Sequence, residues 1–255
     1  MDFLYLEKWV KKEFGIDFTA YKSNQLHRRI NSFMDRIGAK NTEQFVEILK
    51  KDPKQKQKFL DFITINVTEF FRNPDIFKEF EKSLKEYIDK NSGTINIWSA
   101  ACSIGAEPYS IAMILKDINT TNTCKILATD IDNTILTRAR DGIYSANEIK
   151  NIKLEFLNKY FAKEGDNYKV NMDVKRMVTF KKHDLIQESY GRDFDAIVCR
   201  NVVIYFNQET KDRIYKKFSE SLKKGGLLFV GATESIYNYK DYGFEKASTF
   251  IYRKI

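Results

Sequence analysis

TINIWSAACSIGAEPYSIAMILKDINTTNTCKILATDID, residues 94–132, decides the fold class. Thr94 to Ala100 is a short apolar run of strand length, and Lys125 to Thr129 is a second. Between them, Glu107 to Lys116 reads as a helix, with Pro108 tolerated in its first turn. The strand-to-helix turn is built from Ser99, Ala100, Ala101, Ser103, Gly105 and Ala106, small residues that let the backbone approach a ligand closely. Downstream the alternation continues: a helix over 133–139, a strand near Val178, a strand from Phe194 to Cys199, a helix from Gln208 to Leu222, and a strand from Leu227 to Gly231. Alternating strands and helices predict an α/β fold, a doubly wound and mostly parallel sheet covered on both faces. Ligands of such sheets bind beyond the carboxyl ends of the strands.

Upstream, the first 72 residues read as helical throughout. Phe3, Leu6, Val10 and Phe14 keep helical spacing before Gly15, and Leu26, Ile30, Phe33 and Ile37 repeat it before Gly38. Asn41 opens a third helix, Asp52-Pro53 a fourth, and Asn73-Pro74 repeats the cap-proline signal for a fifth that runs to about Asp89. The expected organisation is therefore an N-terminal helical domain over 1–72 and an α/β domain over 73–255. Within the latter, Gly165-Asp166 is a turn and Tyr168, Val170, Met172 and Val174 nearly alternate, which predicts a small β-hairpin insertion at about 156–180.

At 255 residues, 43% hydrophobic and 14% aromatic, the chain can bury a sizeable core. No stretch approaches the roughly 18 apolar residues of a membrane helix, and the start lacks the pattern of a signal peptide, so a cytoplasmic protein without membrane insertion is expected. Cys102, Cys124 and Cys199 are odd in number and lack metal-ligand spacing; neither disulfides nor a metal are expected. The formal charge of +8 is concentrated early: Lys11 to Leu60 holds twelve Lys or Arg against six Asp or Glu. A basic surface attracts nucleic acid, membranes or acidic proteins, or simply solvates a face.

Several strand ends carry polar groups. The turn after the first strand is no phosphate loop, since G-x-G-x-x-G is absent and Glu107 at the helix start would repel a pyrophosphate while suiting a cation or amine. Asp130 ends the second strand, 25 residues after Gly105, where doubly wound folds place an acid on ribose hydroxyls. It could equally cap the next helix, a task for which Asp132 competes. Asp184 is a third strand-end acid, placed either to accept an adenine amino group or to form a turn. FDAIVCRNVVIYF, residues 194–206, explains itself in the same way: a buried strand that ends in Arg200 and Asn201 presents them to the same crevice.

Together, INVTEFFRNPDIF, IWSAACSIGAEPYSIAM, ILATDID, FDAIVCRNVVIYF and GGLLFVGATES resemble the successive motifs of CheR-type chemotaxis receptor methyltransferases, and YKSNQLHRRI is similar to their N-terminal helical domain. The resemblance covers nearly the whole chain. It implies a Rossmann-like methyltransferase that binds S-adenosyl-L-methionine through Asn66, Thr68, Arg72, Glu107, Asp130, Asp184, Leu185, Arg200 and Asn201. It also implies Arg72 and Tyr205 at the reacting end, and chemotaxis receptor helices as partners.

The implied reaction carries a methyl group from a sulfonium to a glutamate carboxylate. An ionised carboxylate is already nucleophilic at neutral pH, so alignment rather than a general base is required. A nucleic-acid methyltransferase would account for the charge, but the amino-directed kind carries Asn/Asp-Pro-Pro-aromatic where this chain has Arg200-Asn201-Val202-Val203. A non-catalytic cofactor-binding scaffold is opposed by the presence of Arg72 and Tyr205. Lys22, Arg29 and Arg36 recur every seven residues, a stripe expected to dock an acidic receptor surface. The short turn at Gly165 argues against a receptor tether gripped by the hairpin, and a monomer is expected.

Overall fold

The computed structural model describes residues 3–255. Contacts divide the chain into two compact units, Met1–Asn66 with Tyr205–Arg213, and Val67–Ile204 with Ile214–Ile255.

The first unit is helical: α1 (Phe3–Phe14), α2 (Ser23–Ile37), α3 (Thr42–Lys51) and α4 (Pro53–Thr64). The apolar stripes predicted from spacing are the faces that become buried. Leu6 and Val10 of α1, Leu26, Ile30 and Phe33 of α2, Phe45 of α3 and Phe59 of α4 form the core, with Phe59 edge-on to Phe45 at 5.0 Å. The predicted caps hold. Asn41 accepts from the Gln44 amide at 2.8 Å, and Asp52 from those of Lys54 and Gln55 at 2.8 and 3.1 Å. Gly38 ends α2 at φ +74°, the left-handed posture that glycine adopts without strain.

The second unit opens with α5 (Pro74–Lys90), β1 (Thr94–Ala100), α6 (Ala106–Ile118), β2 (Thr123–Asp130) and α7 (Asn133–Asp141). A three-residue strand β3 (Ile143–Ser145), α8 (Leu154–Tyr160), the hairpin β4 (Phe161–Glu164) and β5 (Asn167–Val170), and a single helical turn α9 (Met172–Lys175) follow. The chain then forms β6 (Val178–Lys182), β7 (Phe194–Cys199), α10 (Gln208–Ser221), β8 (Leu222–Val230), β9 (Phe244–Lys246) and β10 (Ile251–Lys254). The main sheet has the order β6-β2-β1-β7-β8-β10-β9. Its first five strands run parallel, and β10 and β9 add antiparallel. Strand order reverses between β1 and β7, so the ligand crevice of this sheet opens at their carboxyl ends.

Three local expectations need correction. Met172 and Val174 do not extend the hairpin: they lie in α9, with Val174 buried and Met172 exposed. The small sheet instead gains β3, in the order β3-β5-β4, and so reaches back to Ile143. Asn73 is no capping side chain. It sits at φ +59° without a cap bond, and its Oδ1 accepts from Arg200.

Candidate active site

At the carboxyl end of β1 the chain makes a turn that the small residues permit. Ala101, Ser103 and Gly105 all have positive φ, at +60°, +49° and +87°. A Cβ on Gly105 would meet Ala139 at 3.1 Å and Phe180 at 3.2 Å. Asp130, at the end of β2, holds this turn from the side. Its Oδ2 accepts from the Ser103 amide at 2.8 Å and its Oδ1 from the Asp132 amide at 3.1 Å. The cap of α7 is Asp132, which accepts from Thr134 and Ile135. Asp130 is thus released from the capping task that competed for it. Its burial pushes the carboxyl up to about 6, against the pull of the amides that it accepts.

Glu107 opens α6 beneath the same turn. It accepts from Ser99 Oγ at 2.8 Å and lies 3.8 Å from the Arg200 guanidinium. Burial raises its carboxyl, and Arg200 and Ser99 pull it back. Arg200 itself is almost fully enclosed, its cation 4.6 Å above the Phe229 ring and 5.5 Å from that of Phe77. One arm of its fork donates to the Arg72 carbonyl at 2.8 Å and to Asn73 Oδ1 at 3.1 Å. A buried charge at the β7 end therefore fixes the backbone of the 67–73 loop, where Phe71 and Asn73 are both left-handed. Arg72 in turn donates to the Val67 carbonyl at 3.1 Å.

The remaining candidates fall out differently. Asp184 forms a turn: Oδ1 accepts from the amides of Ile186 and Gln187, and Oδ2 from Gln187 Nε2. Leu185 is buried, with its carbonyl held by Tyr190. Thr68 lies half-buried in the 67–73 loop. Asn66 and Tyr205 belong to the helical unit. There Asn66 donates to Thr64 Oγ1, and the Tyr205 carbonyl accepts from the Lys22 amide at 2.9 Å. In the basic stripe expected to dock a partner, Arg29 donates to the Phe62 carbonyl and stacks on the Phe62 ring at 4.4 Å, and Arg36 lies 5.1 Å from that ring. Arg29 is therefore partly a packing residue, not a freely solvated charge.

Residues 66–251 match the CheR methyltransferase, SAM binding domain, and residues 1–64 match the CheR methyltransferase, all-alpha domain. The chain belongs to the CheR methyltransferase family. It is 40% identical over 254 residues to a chemotaxis protein methyltransferase of Listeria monocytogenes, covering 99% of this chain and 97% of the relative. Chemotaxis protein methyltransferases of Borreliella burgdorferi, 35% identical, and Escherichia coli, 33% identical, match 96% and 91% of this chain and 92% and 84% of their own.

S-adenosylmethionine is the cofactor of this CheR-family methyltransferase, and the second unit suits it. Asp130 and Glu107 offer carboxylates of the kind that suits a ligand with a sulfonium, an ammonium and hydroxyl donors. The buried atoms Ser103 Oγ and Asn201 Oδ1 have no hydrogen-bond partner in the protein and are free for one. One residue of this region escaped the sequence reading. Glu234 is 4% exposed and accepts from the amides of Asn201, Val202 and Gly231 at 2.5, 2.8 and 2.8 Å. A lone glutamate in a Gly-Ala-Thr-Glu-Ser loop carries no signal of that.

Among the described residues no helix is long and apolar enough to cross a membrane, and no cluster of metal-ligating side chains occurs.

Proposed function

We propose that this methyltransferase esterifies glutamate side chains of chemotaxis receptors, acting in the cytoplasm as a protein-glutamate O-methyltransferase. The observation that supports this best is the Arg200 assembly. A single buried guanidinium at the end of β7 pairs with Glu107 and holds the Arg72 carbonyl, which supports reading the Arg72 loop as part of the cofactor crevice. When bound, the cofactor supplies a methyl group on a positively charged sulfur, open to displacement by a nucleophile. The chain's task is to bind, orient and exclude water. Arg72 offers a planar fork suited to a carboxylate, and the Tyr205 hydroxyl offers a hydrogen-bond donor. In this reading Asn66, Thr68, Glu107, Asp130, Asp184, Leu185, Arg200 and Asn201 hold the cofactor, and Lys22, Arg29 and Arg36 meet the acidic receptor surface.

The test is incubation with methyl-labelled cofactor and a receptor cytoplasmic fragment. Label that enters the fragment and leaves it as methanol in mild base is the expected result, since carboxyl esters hydrolyse there and methylated amines do not. Base-stable label would overturn the glutamate assignment.

A further inference from the structure

We infer that Glu234 is a positioning residue for cofactor binding: its carboxylate fixes the turn after β7 that carries Arg200 and Asn201. Four backbone N–H groups converge on it. Oε2 accepts from Asn201 at 2.5 Å and Gly231 at 2.8 Å, and Oε1 from Val202 at 2.8 Å and Ile204 at 3.3 Å. An ionised carboxylate with so little exposure is costly unless fully hydrogen-bonded, and converging amides supply that compensation without a cation. The compensation runs both ways, since those amides leave the end of a strand with no sheet partner of their own. Asn201 is held at φ +60°, a posture that asparagine tolerates better than most residues, with its buried Oδ1 unspent. Gly231 completes the arrangement. A Cβ there would meet Glu234 Oε2 at 2.5 Å and the Asn201 nitrogen at 2.8 Å.

Among the described residues the Glu234 carboxylate hydrogen-bonds only to this turn and to Gly231, so its effect on a ligand runs through Arg200 and Asn201. The inference rests on those two being cofactor contacts. Asp195 supplies a matched control. It is as deeply buried and accepts from Tyr87 Oη, the Asn96 amide and Lys223 Nζ at 2.7 to 3.0 Å, but it lies at the amino end of β7, away from the crevice.

The experiment measures binding of S-adenosylhomocysteine to the full chain by calorimetry, with Tm recorded for each variant. Glu234→Gln keeps the volume but offers one carbonyl oxygen, so the N–H pair served by the other oxygen would face an amide NH2. It should raise Kd about tenfold or more. Asp195→Asn should lower Tm at least as far and leave Kd unchanged. Asn201→Ala separates the inference from the reading beneath it. If Asn201→Ala weakens binding while Glu234→Gln stays within about twofold of wild type, Glu234 has no positioning role. If neither changes Kd, the β7 end is not the cofactor site and both fall. An equal loss of affinity in Asp195→Asn would reduce the effect to general destabilisation and overturn the inference. Should Glu234→Gln fail to fold, Gly231→Ala disturbs the same turn with the charge kept, and wild-type affinity in that variant would be equally fatal.

Discussion

Asp130 experiences opposite demands from folding and from ligand binding. Its folded carboxyl is raised from 3.8 to about 6, chiefly by desolvation, so the folded chain holds the proton more tightly than the unfolded one. The stability this group contributes is then fully present below pH 3.8 and is lost as pH rises through about 6. Accepting from ribose hydroxyls calls for the ionised form, which is lost in the other direction. Cofactor affinity should therefore fall as pH drops through about 6, while the Tm difference between wild type and Asp130→Asn moves in favour of wild type. In Asp130→Asn, calorimetry should show affinity about tenfold to a hundredfold weaker at neutral pH, the loss of a charged hydrogen-bond partner, and no step near pH 6. A step that persists in the variant would assign it to another group. Tyr205→Phe isolates a second role, since it deletes one hydroxyl at nearly constant volume. It should slow methyl transfer at saturating cofactor with Tm unchanged, and normal turnover would remove Tyr205 from the reaction. Asp130 and Tyr205 stand out as candidates in the sequence because each ends or follows an apolar run. Glu234 does not, because three of its four backbone-amide partners lie thirty or more positions away, and side-chain identity is silent about them.

Among the elements, legibility follows the range of the interactions that fix each boundary. The starts of α3 and α4 are set within four residues by Asn41 and Asp52, and local sequence reports them. Asn73-Pro74 presents the same letters, but a distant Arg200 captures the asparagine side chain, and no local rule anticipates that. The strand β3 is three residues long and is fixed by tertiary contact, with the Tyr144 hydroxyl donating to the Ile104 carbonyl at 2.6 Å. Period-two alternation also misled at Met172, where one helical turn places an exposed methionine beside a buried valine. A cap with purely local duty gives a clean prediction. Asp52→Ala should cost about 1 kcal/mol in denaturant unfolding and leave S-adenosylhomocysteine affinity at the wild-type value, since the Asp52 carboxylate serves only the first turn of α4. A change in affinity would show that the cap matters beyond its own helix.

For the whole molecule, the open matter is what the net charge of +8 does, given that much of its surplus sits in the helical unit. One third of the expected docking stripe is already committed, because Arg29 is anchored on Phe62 by a hydrogen bond and by stacking. Substituting Arg29 would confuse lost packing with lost charge. Lys22 and Arg36 are the informative pair. Among the described residues neither has an ion-pair partner, and Arg36 is exposed at the end of α2. If the stripe steers an acidic receptor surface, its contribution is long-ranged and screened over a Debye length of about 8 Å at physiological salt. Lys22→Gln with Arg36→Gln should then raise the receptor KM several-fold at low salt, an on-rate effect typical of exposed charges. The kcat at saturating receptor and the affinity for S-adenosylhomocysteine should stay at wild-type values. The salt dependence of kcat/KM should flatten, because the variant has less attraction left to screen. A double variant that methylates receptor with the wild-type KM and the wild-type salt slope would leave these charges as solvation of the helix, and the receptor would have to be recognised by shape and apolar contact instead.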